Sequence, residues 1–486
     1  MPKSLIIGSG IAGIATAIRL RQKGHEVEVF EANSYPGGKL TSFTIDKFRF
    51  DAGPSLFTLP HLVTELFELF DENPKDYFAY HKMKTICNYF WEDGTRFSMP
   101  SDRKKQIEGL HATFNESKSK IERYLEKSKL KYERTAPIYL EKSLHKPSTW
   151  LSKHVFRALG EIQKYDVFST LNDVNQKTFT NDKLIQLFNR FATYNGSSPY
   201  RTPGIMSMIP HLEMDIGAFF PKGGMESITN ALVDLAKRHG VKFRYNNYVE
   251  RVVHKKSTAT GIITNGEYIE GNYVVTNMDV FSAYSKLLKD LKAPKKVLKQ
   301  ERSSSALIFY WGINKQFPEL DLHNILFSDR YKEEFEYIFD KKIITDDPTV
   351  YINISSKENA SDAPKNTENW FVMINTPGDF GQEWEVLISD ARKSIIQKIN
   401  RMLNVDIEPL IVCEQILHPK LIEQKTNSHQ GSLYGMASNN RYAAFLRHSN
   451  FSKQLNNLFF CGGSVHPGGG IPLCLNSAKI VSNLIA

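Results

Sequence analysis

Residues 3–8 read as a short buried strand, because Leu5, Ile6 and Ile7 run without a polar break. Small and apolar residues then fill a helix that Gly24 terminates, and a second strand follows over 25–31. The far end of the chain repeats the theme: a short apolar strand over 458–461, a glycine turn, and a helix opening near Pro472, where proline suits a first turn. In between, Pro221, Gly223, Gly224 and Met225 precede an amphipathic helix, and a strand over 241–245 leads to Val249. Two more strands flank the turn pair Asn265-Gly266 ahead of Val274 and Val275.

Two stretches depart from this strand-helix alternation. Residues 101–220 are rich in Lys and Glu, with apolar positions at helical spacing and few strand signals. Within them, residues 144–170 carry Trp150, Leu151, Val155, Phe156, Leu159 and Ile162 at helical intervals, with Lys146, Lys153, Arg157 and Lys164 nearby. An aromatic and apolar face with basic flanks suits either an interfacial helix on anionic lipid or a helix packed on its own domain. Residues 295–430 alternate short strands, over 306–311, 349–354 and 370–375, with helical and loop pieces.

Composition narrows the class without choosing the function. At 486 residues, 41% hydrophobic and 24% charged, the chain is globular and large enough for more than one domain. The balance of 62 Lys and Arg against 53 Asp and Glu gives +9, which suits nucleic acid, an anionic membrane or a basic soluble surface. No recognisable nucleic-acid module accompanies that charge, and the mixed Lys/Glu helices form no dense basic cluster. No run approaches the roughly 18 to 20 apolar residues of a spanning helix, and the N-terminal apolar run is too short for a cleaved leader. Cys87, Cys413, Cys461 and Cys474 are scattered without metal-ligand or disulfide spacing, which predicts a reduced cytosolic setting and no metal site.

The chemistry starts at GSGIAG, where Gly8, Gly10 and Gly13 stand in a G-x-G-x-x-G frame between the first strand and the first helix. Gly8 permits the tight turn, Gly10 lets a pyrophosphate approach the backbone, and Gly13 lets the helix pack on the sheet. The free N–H groups of the helix start favour a diphosphate there. Glu31, at the end of the second strand, supplies the carboxylate that receives ribose hydroxyls. NAD and FAD share this fingerprint, so later residues must arbitrate.

They do so by resemblance. E-x4-P-G-G-K over Glu31 to Lys39, with Asp51-Ala52-Gly53-Pro54-Ser55 behind it, resembles the bacterial phytoene desaturase-type carotenoid desaturases within the amine-oxidase-like flavoproteins. The terminal GGSVHPGGGIP and the central PKGGM landmark are similar to the same family, so the resemblance spans nearly the whole chain. It implies an α/β (α+β) fold with a Rossmann-like FAD-binding domain over 1–80, 221–294 and 431–486. A mixed-sheet substrate domain would occupy 81–100 and 295–430, and 101–220 would be a helical insertion at the membrane.

The resemblance also implies FAD contacts from Gly8, Gly10, Ile11, Ala12, Gly13, Glu31, Gly37, Gly38, Lys39, Pro54, Ser55, Val249 and Asn277. At the C-terminal end it implies Gly462, Gly463, Ser464, Gly470, Ile471 and Pro472. Gly463 stands where many amine oxidases carry an acidic residue, and His466, between glycines and Pro467, suits loop shaping better than proton transfer. Phe219, Phe220, Phe309, Tyr310 and Trp311 are candidates to line a substrate tunnel.

The activity implied is desaturation of a C40 polyene, with a hydride passing from an allylic carbon to flavin N5 and the electrons leaving to oxygen or a quinone. Glu213 and Asp215, just before the central landmark, are the carboxylates available to take the proton. Within the family the likeness is nearest to the branch forming a 3,4 double bond in 1-hydroxylated carotenoids, with phytoene or diapophytoene desaturase and a carotenoid isomerase behind it. The same fold also serves prenyl-lipid-binding GDP-dissociation inhibitors, which do no redox chemistry. Taken with the charge, the resemblance places the protein in the cytoplasm, peripherally on the inner face of the cell membrane.

Overall fold

Two large sheets organise the chain, and each collects its strands from distant stretches of sequence. The computed structural model describes residues 1–485, with the side chains of Lys153, His154, Leu159 and Ala444 outside the description. The first sheet is parallel throughout, in the order Leu458–Phe460, Tyr273–Thr276, Lys3–Ile7, Glu26–Phe30, Lys242–Arg244. Lys3–Ile7 holds the centre, with Ile7 opposite Thr276 on one side and Phe30 on the other.

A parallel sheet must be covered on both faces. Helices Ile11–Gln22, Glu226–Arg238 and Ile471–Leu484 pack on one, through Ile14, Ile18, Leu232 and Leu475. The antiparallel strands Val249–Lys255, Thr258–Thr264 and Glu267–Glu270 cover the other, where Val252 and Ile262 meet Leu5 and Ile7. The turn between the last two strands puts Asn265 at φ 48° and Gly266 at φ 77°, the left-handed pair a two-residue hairpin demands.

The second sheet has seven strands in the order Ile411–Leu417, Ser305–Ile313, Glu368–Thr376, Val350–Asn353, His323–Leu326, Thr85–Phe90, Arg96–Pro100. Strand alternation gives each strand two faces. Phe309, Trp311, Trp370 and Val372 pack against Ile395 and Ile399 of helix Trp384–Leu403, whereas Ile308, Tyr310, Phe371 and Met373 face the other way, into a cavity. Of the five aromatics expected to line a tunnel, only Tyr310 does so. Phe309 and Trp311 are on the wrong face, Phe220 is buried in the core beneath the helical region, and Phe219 packs on the core of the parallel sheet.

Residues 101–220 are built from helices, chiefly Arg103–Phe114, Lys118–Tyr139, Leu171–Thr178 and Asp182–Asn189. Thr170 caps the third of these reciprocally with Asp173. Among the described residues, no helix is long and apolar enough to cross a membrane, and no cluster of His, Cys, Asp and Glu is arranged to hold a metal ion.

Candidate functional site

The parallel sheet reverses its strand order between Lys3–Ile7 and Tyr273–Thr276, which makes the carboxyl edge at that point the expected ligand crevice. A cavity of about 1140 Å³ opens there and extends over the seven-stranded sheet. Gly8, Asn277 and Gly462 follow three adjacent strands and all line it. Asn277 is wedged between the two glycine turns: a Cβ on Gly10 would meet its Oδ1 at 2.6 Å and one on Gly462 its Nδ2 at 2.6 Å. Gly13 lies outside the lining, and its constraint is packing, since a Cβ there would meet the Gly8 carbonyl oxygen at 2.2 Å.

Two helix N-termini border the cavity. Gly10 precedes helix Ile11–Gln22 and Gly470 precedes Ile471–Leu484, so neither first turn has a side-chain cap. Uncapped N–H groups at a helix start are donors for an anionic or electron-rich ligand. Ile11, Ala12, Ile471 and Pro472 line the cavity beside them.

Around these turns the polar groups are held in fixed orientations. Glu31 Oε2 accepts from the Ser9 amide and hydroxyl, each at 2.8 Å, and its Oε1 accepts from the Asn33 amide at 2.9 Å and side chain at 3.0 Å. The Gly37 amide donates to the Ser9 carbonyl at 2.8 Å, which brings Gly37 and Gly38 alongside Gly10. Lys39 Nζ donates to the carbonyls of Ser432 at 2.9 Å and Leu433 at 3.1 Å. Burial pushes its pKa down to about 8, with Asp279 opposing that fall. Asp279 forms a buried ion pair with Arg302, whose guanidinium also donates to the Ser432 hydroxyl at 3.0 Å. Pro54, Ser55, Val249, Gly463 and Ser464 complete this part of the lining.

Glu213 and Asp215 part company. They belong to a short π-helical segment, His211–Ile216, and residues two apart on a helix do not share a face. Glu213 turns inward, is 2% exposed, lines the cavity and pairs with Arg190. Asp215 turns away from the cavity to Arg103 and to His211 Nδ1, the latter at 2.7 Å. The structure therefore removes Asp215 from the set of candidate proton acceptors. His466 is fully buried outside the lining, with Nε2 2.9 Å from the Lys142 carbonyl, so it shapes the glycine loop.

Several cavity residues escaped the sequence reading: Arg190, His323 and Tyr351. Arg190 had a signal, an arginine inside the apolar run LFNRFA. Its Nε is 3.0 Å from the Tyr89 hydroxyl, and its guanidinium stacks over Phe191 at 4.4 Å. Burial works against its charge, but Glu213 and Tyr89 outweigh it and hold the proton.

The chain matches the family described as flavin containing amine oxidoreductase over residues 11–486. It belongs to that family. It is 56% identical over 485 residues to the 1-hydroxycarotenoid 3,4-desaturase of Flavobacterium sp. (strain P99-3), covering 100% of this chain and 99% of the relative. It is 31% identical to the 4,4'-diapolycopene oxygenase of a Methylomonas species, covering 99% of this chain and 97% of that one. Among solved structures, a double mutant of putrescine oxidase superposes with a TM-score of 0.65 at 13% identity, covering 100% and 99% of the two chains. An oxidoreductase from Methanosarcina mazei does so with a TM-score of 0.63 at 15% identity, covering 99% and 100%. The family member described here is an FAD-dependent oxidoreductase. Its cavity fits that cofactor: bare glycine backbone at Gly8, Gly10, Gly37, Gly38 and Gly462, two uncapped helix starts and an oriented Glu31 meet on one wall.

Proposed function

We propose that the protein is a carotenoid desaturase that forms the 3,4 double bond of a 1-hydroxylated acyclic C40 carotenoid. The observation that carries this reading is the shape of the cavity floor. Gln415, Ile308, Phe371, Tyr351, His323 and Cys87 line it from six consecutive strands of the second sheet. Five inter-strand steps make that floor about 24 Å wide, a long, mainly apolar trough suited to an extended polyene. The full-length likeness to a 1-hydroxycarotenoid 3,4-desaturase supports the substrate class.

When bound, FAD supplies a two-electron acceptor for a hydride from an allylic carbon, and its electrons pass on to oxygen or a quinone. Gly8, Gly10, Gly37 and Gly38, with Glu31, Val249 and Asn277, would hold the dinucleotide part. Lys39, Pro54 and the Gly462–Pro472 loop hold the remainder. The trough residues Ile308, Tyr310, Phe371 and Met373 exclude water and fix the polyene against that wall. A polyene that loses hydride spreads its positive charge along the chain, so a single weak base suffices, and Glu213 is a carboxylate in the wall.

The test is incubation of FAD-loaded protein with liposomes holding, in separate tubes, a 1-hydroxylated carotenoid, its non-hydroxylated counterpart, and phytoene. Each added conjugated double bond moves the absorption of the extract to the red. A red shift with the hydroxylated substrate is expected. A shift confined to phytoene would make the protein an early desaturase, and altered geometric isomers without any gain in conjugation would make it an isomerase. A purified protein without flavin absorbance that takes up no FAD would return it to the prenyl-lipid carriers.

A further inference from the structure

One buried charge behind the cofactor wall has no counter-ion. Arg447 is 3% exposed, and no carboxylate among the described residues pairs with it. Its guanidinium makes one long hydrogen bond, from Nη2 to the Ser438 hydroxyl at 3.4 Å, while Nε and Nη1 are buried without partners among the described residues. The titratable groups around it are bases, not acids. Burial lowers the pKa of His145 and takes that of His448 to about 4 and that of His466 to about 3, and the charges acting on these three imidazoles are those of Lys453, Arg447 and His145. Neutral imidazoles bring no negative charge. Arginine does not shed its proton in a protein, so a full positive charge is held out of water here, which is costly until a negative charge meets it. A bound water completes N–H groups but leaves the charge.

The guanidinium lies against the C-terminal glycine loop. A Cβ on Gly468, whose φ is 142°, would meet Arg447 Cζ at 3.1 Å, so the bare backbone makes room for the cation. The two stretches are also tied along their backbones: the His466 amide donates to the His448 carbonyl at 3.0 Å, and His448 bridges to Val465. Cζ is therefore within about 5 Å of the Gly468 Cα and within about 9 Å of the Cα of Gly469. Gly469, Gly470, Ile471 and Pro472 line the cavity that fits FAD. At that range the charge acts on whatever the loop holds. FAD that takes up a hydride gains two electrons and one proton, so its ring system passes from neutral to singly negative.

We propose that Arg447 is the fixed counter-charge of the reduced cofactor: acting through the glycine loop and not by contact with substrate, it raises the reduction potential of bound FAD and so favours hydride uptake from a weak donor. For a ring system in contact with Gly469, about 12 Å from the charge, an effective dielectric near 20 makes the attraction worth about a tenfold change in the reduction equilibrium. The effect belongs to the bound cofactor and does not depend on which substrate is oxidised.

The test is the midpoint potential of FAD-loaded protein without substrate, read from flavin absorbance against a reference dye. Arg447→Gln, which keeps side-chain N–H groups but not the charge, should shift the equilibrium about tenfold toward oxidised flavin, a fall of about 30 mV for a two-electron couple. Arg447→Lys, which keeps the charge, should stay near the wild type. An unchanged potential in Arg447→Gln would overturn the proposal, and so would an equal fall in Arg447→Lys, because packing alone would then explain both. Weaker FAD binding at an unchanged potential would assign the charge to the FAD diphosphate and overturn it as well. Should Arg447→Gln fail to hold FAD, Ser438→Asp sets a carboxylate beside the intact guanidinium and should lower the potential similarly, with Ser438→Asn as the neutral control; equal potentials in those two variants would refute the counter-charge. A potential that falls as expected in a protein that converts no polyene would leave the counter-charge standing and defeat the desaturase reading instead.

Discussion

Two buried glutamates show how the same side chain is put to different ends by its neighbours. Glu213 is pulled up by burial and pulled back by the Arg190 guanidinium it pairs with. If it receives the substrate's proton, Glu213→Gln should lower kcat by about a hundredfold while FAD content holds; an unchanged kcat would leave the proton to water. Among the described residues, Glu334 has no such cation in contact. It is 1% exposed, accepts from the Thr349 hydroxyl at 2.7 Å and amide at 3.2 Å, and burial raises its pKa to about 7. Between pH 4.5 and about 7 the unfolded chain ionises this group while the folded one keeps its proton, so stability falls as pH rises through that window. Glu334→Gln should therefore be more stable than the wild type at pH 8, by up to about 3 kcal/mol, with the advantage gone below pH 4.5. Thermal melts across that range would show it, and a pH-independent difference would refute the raised pKa.

At the scale of elements, the stretch expected to face a membrane is exposed, though not along its whole face. Leu151 is 77%, Phe156 63% and Phe168 81% exposed, whereas Val155 is buried at 2%. Lys153 and Leu159, named in the same expectation, have side chains outside the described residues. A second segment joins the patch: Phe445 lies 5.8 Å from the Trp150 ring, and Tyr442 and Leu446 are exposed beside it. Tyr139, a few residues before the 144–170 stretch, donates its hydroxyl to the Pro467 carbonyl of the C-terminal glycine loop at 2.6 Å. We propose that the patch seats the protein on anionic lipid, from which the polyene is drawn. Replacing Leu151, Phe156 and Phe168 together by Ser should abolish sedimentation with anionic liposomes and leave FAD absorbance intact; undiminished sedimentation would refute the seat. This pairing also marks a limit of sequence reading. Periodicity shows an apolar face within 144–170, but not that residues some 280 positions further on complete it. The same limit explains Asp215, Phe309 and Trp311. Each was a plausible residue type for its place, and only the angle between neighbours on a helix or strand decided which faced the cavity. The glycine turns escaped this limit because backbone geometry, not side-chain direction, dictates them, and so Gly8, Gly37 and Gly462 were legible at once.

For the whole molecule, the cavity is where the separate stretches of chain meet. Its walls include Gly8 from the N-terminal strand's turn, Arg190 from the helical region, Val249 and Asn277 from the centre, Tyr351 from the second sheet and Gly462 from the C-terminal end. The cavity of about 1140 Å³ is bordered by both sheets, so a ligand that fills it ties them together. FAD then acts as part of the fold as well as the chemistry, and its binding energy appears as stability because the unfolded chain has no such site. Free FAD at a hundred times its dissociation constant should add about 2.7 kcal/mol to stability. Flavin-free protein should accordingly melt several degrees below the FAD-loaded form, and added FAD should restore the midpoint in a concentration-dependent way. The loss should also divide the melt. With the cavity empty of ligand, the parallel sheet and the seven-stranded sheet keep their own cores, so the single transition of the loaded protein should split into two. A flavin-free protein that melts in one transition at the loaded midpoint would show that side-chain packing alone, through pairs such as Tyr310 hydroxyl to Ala52 carbonyl at 2.7 Å, is enough to join the sheets.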